Sequence, residues 1–142
     1  MKPVSELLKG RAGTLWHVRP DDTVYTALQL LAQHEVGALM VMERGKLVGI
    51  LSERDYTRKV ALQGRNSQDT RVSEIMTPGV IVVNPKTDTN QCMALMSARR
   101  FRHLPVVDGD TVLGMISIRD IMDDIIADQE TTIAQLESYI HS

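Results

Sequence analysis

Gly49-Ile50-Leu51-Ser52-Glu53-Arg54-Asp55 recurs 65 positions later as Gly114-Met115-Ile116-Ser117-Ile118-Arg119-Asp120. Outward from these stretches the chain matches itself without a gap, residues 18–55 against 83–120, with nine identities in 38 pairs. Chance gives about two or three, so the sequence is an internal duplication. A lead-in repeats as well, Val4-Ser5-Glu6-Leu7-Leu8 against Val72-Ser73-Glu74-Ile75-Met76, at an offset of 68. The three-residue difference falls in the loop at 11–17. The chain divides into a first repeat at 1–68, a second at 69–128 and a tail at 129–142. Neither repeat is large enough to be comfortably stable by itself.

The periodicities inside each repeat predict a mixed α/β fold. Val24, Ala27, Leu28 and Leu31 form one helical stripe behind the N-cap candidates Asp22 and Thr23. Their counterparts are Cys92, Met93 and Met96 behind Thr87 and Asp88. Two apolar runs, 38–42 and 47–51, flank the turn Glu43-Arg44-Gly45-Lys46 and predict a hairpin, which 104–107 and 111–116 repeat. Helices are expected to start at Ser52 and Ser117. The order is strand, helix, strand, strand, helix, twice. Runs apolar on both faces predict sheets covered on both sides. The segment 123–140 continues as a helix carrying Ile125, Ile126, Ile133, Leu136 and Ile140, and from Asp120 onward it holds six acids and no Lys or Arg.

Composition narrows the function. The 142 residues carry a formal charge of -2, which excludes broad non-specific nucleic-acid binding, and five aromatics make no base-stacking platform. No apolar stretch reaches the roughly 18 residues of a membrane span, and the first residues lead into no apolar signal region. One cysteine, Cys92, permits no internal disulfide and fits a reducing, cytoplasmic setting. Four histidines without ligand spacing provide no metal site. There is no Gly-x-Ser-x-Gly elbow, phosphate-binding Lys-Ser/Thr loop or Gly-x-Gly-x-x-Gly, so no catalytic residue is assigned.

Three features together carry a family resemblance: Val72-Ser73-Glu74-Ile75-Met76-Thr77-Pro78, Arg102-His103-Leu104-Pro105-Val106-Val107-Asp108, and the two copies of Gly-x-x-Ser-x-x-Asp. The chain resembles a tandem pair of cystathionine-β-synthase (CBS) domains, free-standing rather than attached to an enzyme, over all but its tail. The resemblance implies a pseudo-twofold module with packed sheets and two clefts between the repeats. It also implies adenosine-containing ligands (AMP, ADP, ATP, NAD(H) or S-adenosylmethionine), regulation rather than turnover, a homodimer and an effector protein yet to be identified.

Ser-x-x-Asp by itself is a capping box, Ser at N-cap and an acid at N3. Three additions make it a binding candidate. The strand glycine leaves room for a close neighbour. The helix start offers N–H groups and a positive dipole end to a phosphate. The arginine before the acid is a forked cation. On this reading Asp55 and Asp120 hold the paired hydroxyls of a ribose. Ser52, Ser117, Arg54, Arg119, Arg102 and His103 attend the phosphates, and the backbone around Leu39 and Leu104 reads the adenine edge. Thr23, Gly37, Ala38 and Pro105 complete the candidate set. Arg102 and His103 align with the uncharged Gly37 and Ala38, so the clefts are expected to differ in phosphate-binding capacity. Arg99 and Arg100 suit a solvated helix end. Trp16 either covers a base or packs at a subunit surface. The competing functions are an interaction scaffold with vestigial clefts, to which the acidic tail helix points, and a nucleotide-processing enzyme.

Overall fold

A computed structural model describes residues 2–9 and 16–140. In chain order the elements are α1 (Val4–Leu8), β1 (His17–Val18), α2 (Val24–His34), β2 (Ala38–Glu43), β3 (Lys46–Ser52), α3 (Glu53–Tyr56), α4 (Val72–Ile75), α5 (Thr89–Arg99), β4 (His103–Asp108), β5 (Thr111–Ser117) and α6 (Ile118–Ile140). The longer loop of the first repeat lies mostly outside the described residues. The two hairpins are copies in detail. Leu39 faces Leu51 as Leu104 faces Ile116, and each first strand breaks register at the same place, Val41/Met42 and Val106/Val107. Caps explain where the helices begin. The Thr23 hydroxyl accepts from Thr26 N, and Asp88 closes a capping box with Gln91. Arg44 and Gly45, at φ 52° and 77°, form the two-residue turn that links β2 to β3.

The halves diverge at two points. In the first, β1 pairs in parallel with β2 to make a three-stranded sheet, whereas the second keeps only a single parallel bridge, Val83 to Val106, beside β4 and β5. The helix after the hairpin also differs. In the first repeat α3 is four residues long and runs into a π-helical turn, Thr57–Ala61, whereas α6 extends for 23.

Repeats in sequence are not packing units in space, because the lead-ins are exchanged. Val4 of α1 is fully buried in the second core with Val83, Cys92, Leu104, Val106, Ile116 and Ile121. Val72 and Ile75 of α4 complete the first core with Val24, Ala27, Leu31, Leu39 and Leu51. Hydrogen bonds fix both: Val4 N donates to Thr87 O at 2.8 Å, and Val72 N to Asp22 O at 2.8 Å. The strand glycines receive these lead-ins. A Cβ on Gly49 would stand 2.7 Å from Met76 Sδ, and one on Gly114 3.1 Å from Leu8 Cδ2. The room the glycines leave is occupied by the exchanged lead-ins.

Candidate functional site

Two clefts open between the repeats. Cleft A, about 470 Å³, is lined by Gly37, Ile50, Ser52, Glu53, Arg54, Asp55, Thr77, Gly79, Val80, Ile81 and residues 100–103. Cleft B, about 710 Å³, is lined by Ser117, Arg119, Asp120 and Asp123 on one side and by Trp16, His34, Glu35 and Ala38 on the other, with Gly37, Arg102 and His103 between. The exchange of lead-ins builds the wall of cleft A: Thr77 pairs with Ile50 through two backbone hydrogen bonds, and residues 79–81 continue along it.

Each Ser-x-x-Asp closes a capping box at the base of its cleft. Asp55 Oδ2 accepts from Ser52 N at 2.9 Å and from its hydroxyl at 3.1 Å, while Asp55 N donates to Ser52 Oγ. Asp120 Oδ2 accepts from Ser117 N at 2.7 Å, with the reciprocal bond at 3.1 Å. The acid that locks the helix start is thus the acid that borders the cleft. At Asp55 the other oxygen, Oδ1, meets the Lys59 ammonium at 3.1 Å; the aligned position in the second repeat is Asp124, so Asp120 has no lysine one turn on. The first amide of each helix donates to the carbonyl just before the strand opposite, Glu53 N to Gly37 O and Ile118 N to Arg102 O. Few free amides therefore face cleft A, where α3 is also too short to build a strong end dipole.

The linings of the two clefts differ, but not through Arg102 and His103 as the alignment implied. Gly37, just before β2, and His103, the first residue of β4, meet where the halves meet: a Cβ on Gly37 would stand 3.6 Å from His103 Cε1. Arg102 and His103 accordingly line both clefts rather than one. The difference comes from the remaining lining. Cleft A has Arg54, Arg100 and Arg102 against Glu53 and Asp55, while cleft B has Arg102 and Arg119 against Glu35, Asp120 and Asp123. Cleft A is the more cationic. Burial holds the His103 imidazole below its usual pKa; Asp120 opposes this and Arg102 adds to it, so the site favours the neutral ring.

Four candidates do not line the clefts. Thr23 caps α2 and bridges to Arg71, away from both. Leu39 and Leu104 are fully buried in the two cores, and Pro105 is buried in β4 opposite Met115. Alternation along β2 and β4 turns Leu39 and Leu104 into the cores; Pro105, on the opposite face of β4, is buried without lining either cleft. Conversely, the sequence reading missed Thr77, Gly79, Val80, Ile81 and Arg100 in cleft A, and His34 in cleft B. The Trp16 and His34 rings stack at 4.2 Å with an 8° tilt at the border of cleft B. Only the repeat of the lead-in, carried past Met76, hinted at the first group. Cys92 is buried and its thiol is pushed up to about 11, which makes it a core residue. Among the described residues no group of three potential ligands is placed to hold a metal ion, and no helix is long and apolar enough to cross a membrane.

Comparison with known proteins agrees with this architecture. The CBS domain family model matches twice, at residues 14–62 and 72–127. The chain is 38% identical to the mitochondrial CBS domain-containing protein CBSX3 of Arabidopsis thaliana, over 96% of this chain and 71% of that one. It is 36% identical to the CBS domain-containing protein YhcV of Bacillus subtilis, over 73% of this chain and 74% of that one. Among solved structures, a CBS-domain protein of Burkholderia ambifaria superposes with a TM-score of 0.87 at 46% identity, covering 90% of this chain and 96% of the other. A hexameric CBS-CP12 protein from bloom-forming cyanobacteria superposes at 0.77 with 28% identity, covering 98% and 88%.

Proposed function

The chain belongs to the CBS domain family, as a tandem pair of repeats, and from that premise we propose that it is a non-catalytic sensor binding adenosine-containing nucleotides in clefts A and B. The observation that carries the reading is the duplicated carboxylate. Asp55 and Asp120 each border a cleft, each anchored by a cap that keeps the side chain in one orientation. A carboxylate so fixed has lost its rotamer entropy before a ligand arrives, which favours bidentate acceptance from vicinal ribose hydroxyls. The cap occupies Oδ2 of each acid. At Asp55 an incoming hydroxyl would share Oδ1 with Lys59.

Apolar surface for a purine lies close by, from Ile50, Val80 and Ile81 in cleft A and from Met40, Met115 and Ile116 in cleft B. Arg102 and His103 would serve phosphates in both clefts. Arg54 and Arg100 add capacity in cleft A, so this cleft is assigned the more highly phosphorylated ligand (ADP, ATP or a dinucleotide such as NAD) and cleft B the less charged one (AMP or S-adenosylmethionine). Neither lining places a nucleophile, a base and an orienting group in a relay, so ligand binding rather than turnover is the function assigned. A regulatory output follows if the ligand-bound and free states differ in their affinity for an effector protein.

A thermal-shift and calorimetric panel of AMP, ADP, ATP, NAD, NADH and S-adenosylmethionine tests the proposal. Binding only to the folded chain stabilises it by about 2.7 kcal/mol at one hundred times the dissociation constant. Asp55→Asn keeps an acceptor for the cap but removes the charge, and is expected to abolish the response assigned to cleft A; Asp120→Asn does the same for cleft B. If no ligand shifts the wild type, the clefts are vestigial and the scaffold reading replaces the sensor.

A further inference from the structure

Among the described residues, the end of α6 presents an exposed apolar face. Ile121 is fully buried and Ile118 and Ile125 pack on the second core, yet every residue at 126–140 is exposed. The exposed apolar side chains are Met122 at 53%, Ile126 at 50%, Ile133 at 55%, Leu136 at 59% and Ile140 at 74%. With Gln129 inserted, these positions follow one another at spacings of four, three, four, three and four residues. That is a heptad seam, widened on one side by Ile125, which packs on the second core, and by the exposed Tyr139. Ile126, Ile133 and Ile140 take its first position (a), and Met122, Gln129 and Leu136 its fourth (d). The seam runs about 27 Å at 1.5 Å per residue. A projecting helix of this length is marginal in water by itself, and from Asp120 onward it carries no Lys or Arg for its acids to pair with.

The residues beside the seam select the partner and its direction. One flank (e) carries Asp123, Glu130 and Glu137; the other (g) carries Ile125, Thr132 and Tyr139. In a parallel pair the acidic flank of one helix faces the uncharged flank of the other, whereas an antiparallel pair sets carboxylates against carboxylates. Isoleucine at every first position, with Leu136 at one of the fourth positions, favours two strands, and the lone seam amide of Gln129 is best satisfied by its own copy in register. The pairs from Lys2 to Asp124 and Asp128 lie on the flank away from the seam and leave it accessible. We propose that residues 122–140 form a parallel, in-register, two-stranded coiled coil with a second copy of this chain. The inference is independent of what the clefts bind.

Single-cysteine cross-linking of the full chain tests it. Cys92 is a silent background, buried with its thiol pushed up to about 11. Gln129→Cys and Leu136→Cys place a thiol opposite its own copy in a parallel register, and under a mild oxidant both are expected to convert to a species of twice the 15.9 kDa chain mass. Gln135→Cys, on the outer face, is expected to stay monomeric on denaturing gels. Adding Ile133→Asp, at an exposed position that folding does not require, is expected to slow cross-linking at Cys-substituted 129 at least tenfold. Cross-linking at neither seam position, at only one of them, equally at all three, or unchanged by Ile133→Asp would each overturn the proposal.

Discussion

Replacing Gly49 by alanine tests the exchange of lead-ins more sharply than any deletion, because the added methyl meets a known obstacle. Its Cβ would lie 2.7 Å from Met76 Sδ, 3.1 Å from Met76 Cγ and 3.1 Å from Thr77 O. The methionine can swing away, but the carbonyl cannot. Thr77 O accepts from Ile50 N at 3.0 Å and Thr77 N donates to Ile50 O at 2.9 Å, so retreat stretches two backbone hydrogen bonds worth about 1 kcal/mol each. Overpacking of this kind typically costs about 1–3 kcal/mol, and alanine's better strand entropy returns roughly 0.5 kcal/mol. Gly49→Ala is therefore expected to destabilise the chain by about 1–2 kcal/mol in urea titrations. Gly114→Ala meets only the tip of Leu8, with the next atom at 3.8 Å, and is expected to cost less than about 0.5 kcal/mol. Because Thr77 and residues 79–81 wall cleft A, the first substitution is also expected to weaken ligand binding there and leave cleft B unchanged. In a double-mutant cycle, Gly49→Ala and Met76→Ala should show a coupling of at least about 0.5 kcal/mol. Equal costs at the two glycines, or strict additivity with Met76→Ala, would refute the packing argument.

Other expectations follow from the site. Asp55→Ala removes both cap and charge and should lose about 1 kcal/mol of stability, whereas Asp55→Asn should lose only a few tenths while binding ligand in cleft A at least tenfold more weakly; urea titration and calorimetry on the pair separate the two roles. His103 has a folded-state pKa below its unfolded value, so the unfolded chain binds the extra proton first. Stability is therefore complete above about pH 6.5 and falls as the pH drops below that, and His103→Gln should flatten the decline in pH-dependent melting curves. A bound phosphate favours the imidazolium and should tighten as the pH falls from 7 to about 6. Trp16, the single tryptophan, stacks on His34 beside cleft B; its emission should respond to a ligand there, lose that response in Asp120→Asn and keep it in Asp55→Asn.

What the sequence revealed and what it hid divide along the range of the interactions. The duplicated hairpins, the caps at Thr23, Ser52, Asp88 and Ser117, and the family were legible because each depends on residues close together in the chain. The exchange of lead-ins was not. The offset of 68 showed that the segments at 4–8 and 72–76 were copies, but periodicity carries no information on which half a short helix packs against. The same limit hid the sharing of Arg102 and His103, which alignment assigned to one cleft although the junction of the halves places them in both. Leu39 and Leu104 were drawn into the site by their neighbours' chemistry, yet strand alternation points them into the cores, and Pro105 is buried on the other face of β4. The second-repeat counterpart of β1 shrank to one bridge, since Val83 alone pairs with β4. The tail's seam was present in the spacing from Met122 to Ile140, but only the exposure of Met122, Ile126, Ile133, Leu136 and Ile140 in the structure reveals its meaning.

The central claim is that the capped carboxylates grip the ribose, and the sugar itself provides the sharpest test. Calorimetric titration should compare AMP with its 2′,3′-dideoxy analogue, which retains the base and the phosphate but lacks both hydroxyls. The account predicts saturable binding of AMP and a loss of at least tenfold for the analogue, about 1.4 kcal/mol or more. Equal affinity for the two, or no binding of AMP, ATP or NAD, would contradict it.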